Sequence, residues 1–326
     1  MTRPGKTGPA TSPLGLGCMG MSDYYGPADE DRSIRTIHHA VDRGITLLDT
    51  GDFYGMGHNE MLIGRALREI DRDKLVISVK FGALRTVEGG FSGFDGRPAA
   101  VKNFVAYSLK RLGVDHIDIY RPARLDPQVP IEDTAGAVAE LIEAGHARHL
   151  GLSEVGPETI RRAHSVSPVA DLQIEYSLMS RSVERAILPT LRKLGIGMTA
   201  YGVLSRGLIA QQPREFSAAL KANMPRFSDE NLQQNRNLVQ KLAQLAQEYD
   251  VNVSQLAIAW VAAQGEDIAP LIGTTKPERV DEALAAVELD LSQADLAAIA
   301  EAMPADEVAG TRYGEHQMEM LDSERG

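Results

Sequence analysis

Apolar residues recur along this chain in two alternating patterns. Short continuous apolar runs, of the kind a fully buried strand shows, alternate with segments whose apolar residues fall three and four apart, the period of a helix with one buried face. The runs "LGLGCM" (14–19), "ITLLD" (45–49), "LVISVK" (75–80), "HIDIYR" (116–121), "ARHLGLS" (147–153), "VADLQIE" (169–175), "IGMTAY" (196–201) and "IAPLIG" (268–273) read as eight strands. Between them, "RSIRTIHHAVDRG", "NEMLIGRALREI", "AAVKNFVAYSLKRLG" and "TAGAVAELIEAG" carry the helical period, and several close on Gly, which ends a helix in the left-handed conformation. Eight strand–helix alternations predict the α/β class and a single (β/α)8 TIM barrel whose site lies on the loops after the strands.

Three segments are too long to be connectors alone: 81–98, 202–230 and the tail after about 303. They are assigned to the rim of a substrate site, and residues 229–249 read as an extra amphipathic helix. No linker or low-complexity tract divides the 326 residues, so the chain reads as one barrel domain, with residues 1–12 flexible and 304–326 a tail at the substrate rim.

Composition narrows the function classes. With 43% hydrophobic and 24% charged residues the chain is of the soluble globular type. Its net charge of −11 argues against nucleic acid and anionic membranes as partners. Cys18 is the only cysteine, which excludes an intrachain disulfide and fits a reducing compartment. The opening "MTRPGKTGPATSP" lacks the apolar core of a signal peptide, and no apolar run reaches the roughly 18 residues of a membrane span. The expectation is a cytoplasmic protein acting on a small molecule, with its oligomeric state open.

Two familiar patterns lack their context. "GLGCMG" places Gly15, Gly17 and Gly20 in a G-x-G-x-x-G spacing, but that fingerprint must join a strand to a helix N-terminus. Here it starts inside the first strand and runs into the loop-like "MSDYYGPADED". "GKT" at 5–7 lacks the upstream Gly of a phosphate loop, and the eight histidines show no metal-ligand spacing, so no metal is expected.

The stretch "GITLLDTGDFYGMGHNE" (44–60) carries the chemistry. Asp49 ends an apolar strand, Tyr54 follows on a Gly-rich turn, and Lys80 ends the next strand, so in a barrel Asp49 and Lys80 meet at the mouth. Buried charges occur mainly in pairs. A pair that leaves positive charge facing Tyr54 would lower the phenol's pKa from about 10 and let it protonate a carbonyl oxygen. The plain alternative is a structural Asp–Lys pair beside a rim tyrosine.

With these residues in place, the chain resembles the aldo-keto reductase superfamily from about Leu14 to the tail. "LLDTGDFYGMGHNE" looks like the family's Asp-Thr-x-x-x-Tyr-Gly segment, with Asp49 and Tyr54 at catalytic positions, and "VKFG" supplies the lysine, Lys80. "GLSEV", "LQIEYSL", "AYGVLSRGL" and "PLIGTTKPERVDEAL" resemble further family segments, in order and at family spacing. The resemblance implies reversible reduction of aldehydes or ketones, with NADPH/NADP+ extended across the mouth. Ser153 and Gln173 would bond the nicotinamide carboxamide and Tyr201 would stack on its ring. Gly20, Met21, Gly202, Leu204 and Arg206 would line the same cofactor, and Glu282 matches the adenine-side carboxylate. At the phosphate end chemistry adds its own support: Gly273, Thr274 and Thr275 precede a helix starting near Pro277, where free backbone N–H groups favour an anion. Lys276 and Arg279 suit a 2′-phosphate, although both residue types are usually solvated.

The chain departs from the family pattern at three positions. Where the fourth strand usually ends in a histidine, "YRPARLD" has Ala123, and Arg121, two residues earlier on the same face, is the candidate replacement, free to serve the substrate oxygen or to pair with an inward carboxylate such as Glu175. Glu154 and Ala283 stand where the family has Asn, which would weaken or re-aim cofactor contacts. The missing histidine leaves a nicotinamide-binding regulatory or sensor subunit as the alternative function, and a hydro-lyase or isomerase as a third class. For the substrate pocket, Tyr24 and Tyr25, Phe91 and Phe94, and Met224 and Phe227 lie in three post-strand loops, suiting apolar or aromatic carbonyl compounds unless they pack the loops themselves.

Overall fold

The structure is a computed structural model that describes residues 5–22, 26–211 and 215–325. Eight parallel strands close a barrel: β1 (Gly15–Gly17), β2 (Leu47–Gly51), β3 (Val76–Phe81), β6 (Ile117–Pro122), β7 (Ala147–Ser153), β8 (Val169–Glu175), β9 (Gly197–Tyr201) and β10 (Ile268–Gly273). The remaining two, β4 (Ala83–Arg85) and β5 (Phe91–Phe94), form an antiparallel hairpin in the long third loop. All eight apolar runs are barrel strands, three with the expected ends and five displaced by one to two residues.

The strands are buried on both faces because helices cover the outside and side chains fill the inside. The two-residue period puts Leu47, Val76, Ile119 and Leu271 in one small apolar cluster, separate from the large core between strands and helices. Two residues further along, the same inward rows turn polar: Asp49, Ser78, Arg121 and, from the opposite strands, Asp171 and Thr199. All five are buried.

The helices follow their apolar periods. Ile37 and Ala40 form the buried face of Glu30–Asp42, whose first turn is capped by Asp29 accepting from Arg32 N at 2.8 Å. The expected "NEMLIGRALREI" helix runs only His58–Ala66 and tightens to a 3-10 turn at Leu67–Glu69. There Gly64 lets it cross Pro98–Leu112 closely: a Cβ on Gly64 would lie 2.6 Å from the Arg111 carbonyl oxygen. The extra helix is Asp229–Glu248, capped by Ser228.

Residues 5–12, part of the segment 1–12 expected to be flexible, make specific hydrogen bonds to the barrel. Lys6 N donates to Gly195 O at 2.7 Å, the Thr7 hydroxyl donates to Val169 O at 2.8 Å, and Ser12 bonds with Thr46. The segment uses backbone and side-chain groups left over beside the strand starts, which composition alone does not reveal. Among the described residues no helix is long and apolar enough to cross a membrane, and no three His, Cys, Asp or Glu side chains gather where they could hold a metal.

Candidate active site

Parallel pairing of β2 with β3 sets Gly51 beside Lys80, and the reach of the lysine then closes on Asp49. Lys80 Nζ donates to Asp49 Oδ1, while Asp49 Oδ2 accepts from Ser78 Oγ at 2.8 Å and Gln173 Nε2 at 2.7 Å. Both charges are about 4% exposed. Burial pulls the Lys80 ammonium below its ordinary pKa; Asp49 opposes that, and the charges of Arg121 and Arg124 add to it. The ammonium nitrogen lies 5.2 Å from the centre of the Tyr54 ring, within cation–π range. The three residues predicted to act together are therefore in contact.

Tyr54 stands on a short 3-10 turn, Tyr54–Gly57, in which Gly55 and Met56 both adopt a φ of +55°. Asn59, buried behind the turn, accepts from the Thr50 hydroxyl at 2.6 Å and donates to Cys18 O at 2.9 Å and Ser22 Oγ at 2.8 Å. It joins the turn to the ends of β1 and β2. Nothing in its sequence context marks it beyond its place at a helix start. Burial, followed by the nearby charge of Asp49, pushes the Cys18 thiol up to about 12, which leaves it inert.

The same turn buries a second acid. Burial and then the neighbouring Glu60 push Asp52 up to about 7, against a 3.4 Å bond from Gly82 N–H. The folded value exceeds the unfolded one of about 3.9, so the folded state holds a proton that the unfolded chain has released between about pH 4 and 7. The stability this proton brings is complete below about pH 4 and is lost as pH rises through 7. Asp52→Asn removes the titration, so its melting temperature should gain on that of wild type from pH 5 to about pH 7 and level off above it. A constant difference across that range would show that Asp52 does not titrate there.

Arg121 pairs with an inward carboxylate, one of the two roles its sequence position left open, though the partner is Asp171. It is fully buried, with Nη1 3.1 Å from Asp171 Oδ2 and Nη2 3.0 Å from Asp171 Oδ1, and it also donates to Ser78 Oγ at 3.0 Å and Leu152 O at 3.3 Å. Asp171, not Glu175, is its counterion, because Asp171 lies in the same inward layer and a dry guanidinium requires a charge partner. These partners enclose it away from solvent. Glu175 instead accepts from the Ser180 hydroxyl at 2.8 Å and faces Arg226 at 3.5 Å, Arg312 at 3.5 Å and Arg206 at 3.9 Å.

Glu154 is also used in an unforeseen way. It is buried at a φ of +52° and receives Arg312 on both oxygens, Nη1 at 2.8 Å and Nη2 at 2.5 Å. Tyr201 and Ser323 donate to it at 2.6 and 2.8 Å. Burial alone would raise its carboxyl, but the charge and hydrogen bonds of Arg312, with Arg124 and the Tyr201 hydroxyl, hold it well below the carboxylate range. The C-terminal tail is thereby fastened over the strand ends, with Tyr313 3.1 Å from the Tyr201 hydroxyl and the Arg206 guanidinium 5.0 Å from the Tyr313 ring. Pairing partners 158 residues apart leave no local signal, so Arg312 and Tyr313 were not legible.

The remaining cofactor candidates fall at the mouth or along the rim. Ser153 and Gln173 are register partners on β7 and β8. Among the described residues Ser153 Oγ donates to none, and Gln173 Oε1 accepts from none. Gly20 and Met21 form a 3-10 turn after β1, with Met21 buried. Gly202, at a φ of +68°, starts the loop that carries Leu204 and Arg206. Gly273 is exposed at the end of β10, Thr274 and Thr275 follow, and Lys276 precedes the helix Pro277–Val287. Arg279 and Glu282 pair with each other at 2.6 Å.

Of the proposed apolar lining, Phe227 and Met224 are 1% and 3% exposed, and Phe227 packs edge-on against Phe216 at 4.8 Å. They fill the seventh loop rather than a pocket, since a post-strand loop of that length needs its own apolar core. Phe91 and Phe94 lie on the hairpin with ring centres 4.9 Å apart, Phe91 being about half exposed. Tyr24 and Tyr25 lie outside the described residues.

Comparison with known proteins agrees with this geometry. Residues 13–304 match the model of the aldo/keto reductase family. A probable aldo-keto reductase 1 of Glycine max is 42% identical over 318 residues, covering 95% of this chain and 90% of that one. Among solved structures, a glycerol dehydrogenase from Gluconobacter oxydans superposes with a TM-score of 0.82 at 31% identity, covering 90% of this chain and 93% of that chain. An aldo-keto reductase from Bacillus halodurans gives 0.76 at 26% identity, covering 93% and 96%. The chain belongs to the aldo/keto reductase family and is an oxidoreductase of carbonyl compounds.

Proposed function

We propose that the protein is an NADPH-dependent reductase of aldehydes or ketones, reversible toward alcohol oxidation, with Tyr54 as proton donor and Lys80 with Asp49 setting its acidity. The observation that carries this reading is the buried Asp49–Lys80 pair with its ammonium against the Tyr54 ring. A phenol beside a fixed positive charge gives up its proton more readily than one in water, and a carbonyl oxygen gaining negative charge is the acceptor that needs it. The likeness to a glycerol dehydrogenase supports the reverse direction.

The free groups of the mouth fit a nicotinamide. A hydroxyl with a donor to spare on β7 and an amide oxygen with a lone pair to spare on β8 match the two ends of a carboxamide, Ser153 taking its oxygen and Gln173 its nitrogen. Bound there, the reduced ring supplies hydride to the carbonyl carbon. Tyr201, its hydroxyl fixed by Glu154 and Tyr313, offers a flat face beside that position. At the other end, Gly273 brings backbone without a side chain to a helix N-terminus with Pro277 at its first position, a fitting cradle for phosphate. Among the described residues no carboxylate lies within 4.0 Å of Lys276, so its charge is available to a 2′-phosphate.

Purified protein mixed with NADPH and a panel of carbonyl compounds should consume the reduced cofactor, followed by its absorbance. NADPH should bind at least about tenfold more tightly than NADH, roughly 1.4 kcal/mol, and Lys276→Met with Arg279→Met should erase the difference. Equal affinity for the two cofactors in a fluorescence titration would refute the 2′-phosphate assignment. Failure to oxidise NADPH with every carbonyl tried would refute the reductase reading in this form.

A further inference from the structure

Reduction of a carbonyl places negative charge on the substrate oxygen, and one phenol is a modest provision for it. Charges aimed at that oxygen from a dry, prearranged mouth are where rate acceleration is obtained. The cations around the mouth differ sharply in how far they are already committed. Lys80 is spent on Asp49 and Arg121 on Asp171, Arg226 bonds Ser180 beside Glu175, and Arg312 is clasped by Glu154 and Glu324.

Arg124 is the exception. Among the described residues no carboxylate lies within 4.0 Å of it, and its hydrogen bonds go to neutral oxygens, Ala123 O at 2.6 Å and Ser153 Oγ at 3.3 Å. Both are made by Nη1, so the Nε and Nη2 donors of the fork meet no described residue. The side chain is half-buried, neither sealed in the core nor free in solvent. Its place follows from the backbone. β6 ends at Pro122 beside the end of β3, Ala123 N–H bonds Phe81 O at 2.8 Å, and the next residue leaves the sheet over the strand tops. From there its charge is felt by Lys80 on one side and by Glu154 and Tyr201 on the other. The guanidinium thus bonds Ser153 and is near enough to act electrostatically on both the lysine beside Tyr54 and the ring proposed to hold the nicotinamide.

The geometry points to Arg124 as a second donor to the substrate oxygen, opposite Tyr54, holding the carbonyl in place and carrying the charge that develops on it. This rests on the reductase reading above and adds a catalytic residue to it. In the step, hydride forms the new C–H bond, the C=O π pair moves onto oxygen, and that oxygen takes the proton of Tyr54; Arg124 donates hydrogen bonds throughout and neither gains nor loses a proton, since guanidinium stays charged at working pH. Ala123, a buried methyl group at 2% exposure, brings no side-chain donor of its own to that place.

The test uses the full-length protein, NADPH and an uncharged aromatic aldehyde, with Arg124→Ala, Arg124→Lys and Tyr54→Phe compared. Arg124→Ala should lower kcat on the order of 10²- to 10³-fold, as removal of one oxyanion donor does elsewhere, with NADPH affinity by fluorescence within about twofold of wild type. Low-millimolar guanidinium ion should restore part of the rate to Arg124→Ala where equal sodium chloride does not. Arg124→Lys should recover some rate, its single charge lacking the fork. A kcat within threefold of wild type overturns the assignment. So does a loss that appears only in KM, and only for a substrate carrying its own carboxylate, because the arginine would then be reading that group and not the carbonyl. A loss that guanidinium does not relieve, with NADPH affinity falling in step, overturns it in favour of a structural role. Absence of wild-type turnover with any carbonyl removes the reductase reading itself, and this proposal with it.

Discussion

Tyr54→Phe should lower kcat on the order of 10²- to 10⁴-fold, the range expected when a positioned proton donor is removed. The substitution deletes one oxygen from a side chain that is 7% exposed and packed edge-on to Phe53 at 4.8 Å, so the turn should keep its shape. NADPH affinity should hold, because the phenol's contribution is made where the substrate oxygen gains charge and not in cofactor binding. Lys80→Met should be more complicated, since it also leaves Asp49 buried with only Ser78 and Gln173 as partners. The clean experiment is therefore single-turnover reduction by Tyr54→Phe at saturating NADPH. Retention of more than about a tenth of the wild-type rate, against the loss expected of a general acid, would remove Tyr54 from the mechanism.

The legible parts of this molecule were those written locally. Continuous apolar runs marked all eight barrel strands, and a carboxylate, a phenol and an amine at successive strand ends marked the group that Asp49, Tyr54 and Lys80 form. Barrel geometry alone carries that step, because parallel neighbours align their ends. What could not be read were side chains whose partners come from remote segments. Arg121 was matched with Glu175 by face alone, yet both Asp171 and Glu175 point inward on β8, and only the stagger between strands selects Asp171. Glu154 looked like a damaged cofactor contact until the tail delivered Arg312 onto it. The hairpin β4–β5 was missed because strands of three and four residues around Gly89 and Gly90 show no period to detect. Arg124 escaped notice for a related reason: Arg121 lies on the strand, where the two-residue rule applies, and Arg124 lies beyond its end, where it does not.

The buried Arg121–Asp171 pair leads to an expected result of its own. Arg121→Met should act on stability first. It removes one member of a fully buried ion pair and leaves Asp171 charged or forced to take up a proton, with Thr199 at 2.5 Å as its remaining hydrogen-bond donor. Breaking a buried pair from one side costs about 3–5 kcal/mol, because the remaining charge keeps its desolvation penalty without its attraction. Space offers no relief: a Cβ on Gly151 would already lie 2.8 Å from Ile119 Cγ2 and 3.0 Å from Asp171 Oδ1, so the layer is closely packed and water has little room to solvate the acid. Replacing both partners, Arg121→Met with Asp171→Leu, should recover much of the loss, since an apolar pair of similar volume carries no desolvation penalty. Urea denaturation of the two single variants and the double variant closes the cycle. A coupling energy near zero would mean that the two residues do not share their charge, and the barrel's polar layer would then need another explanation. If instead Arg121→Met unfolds at the wild-type urea concentration but loses turnover, the guanidinium serves the substrate after all and Arg124 is displaced from that position.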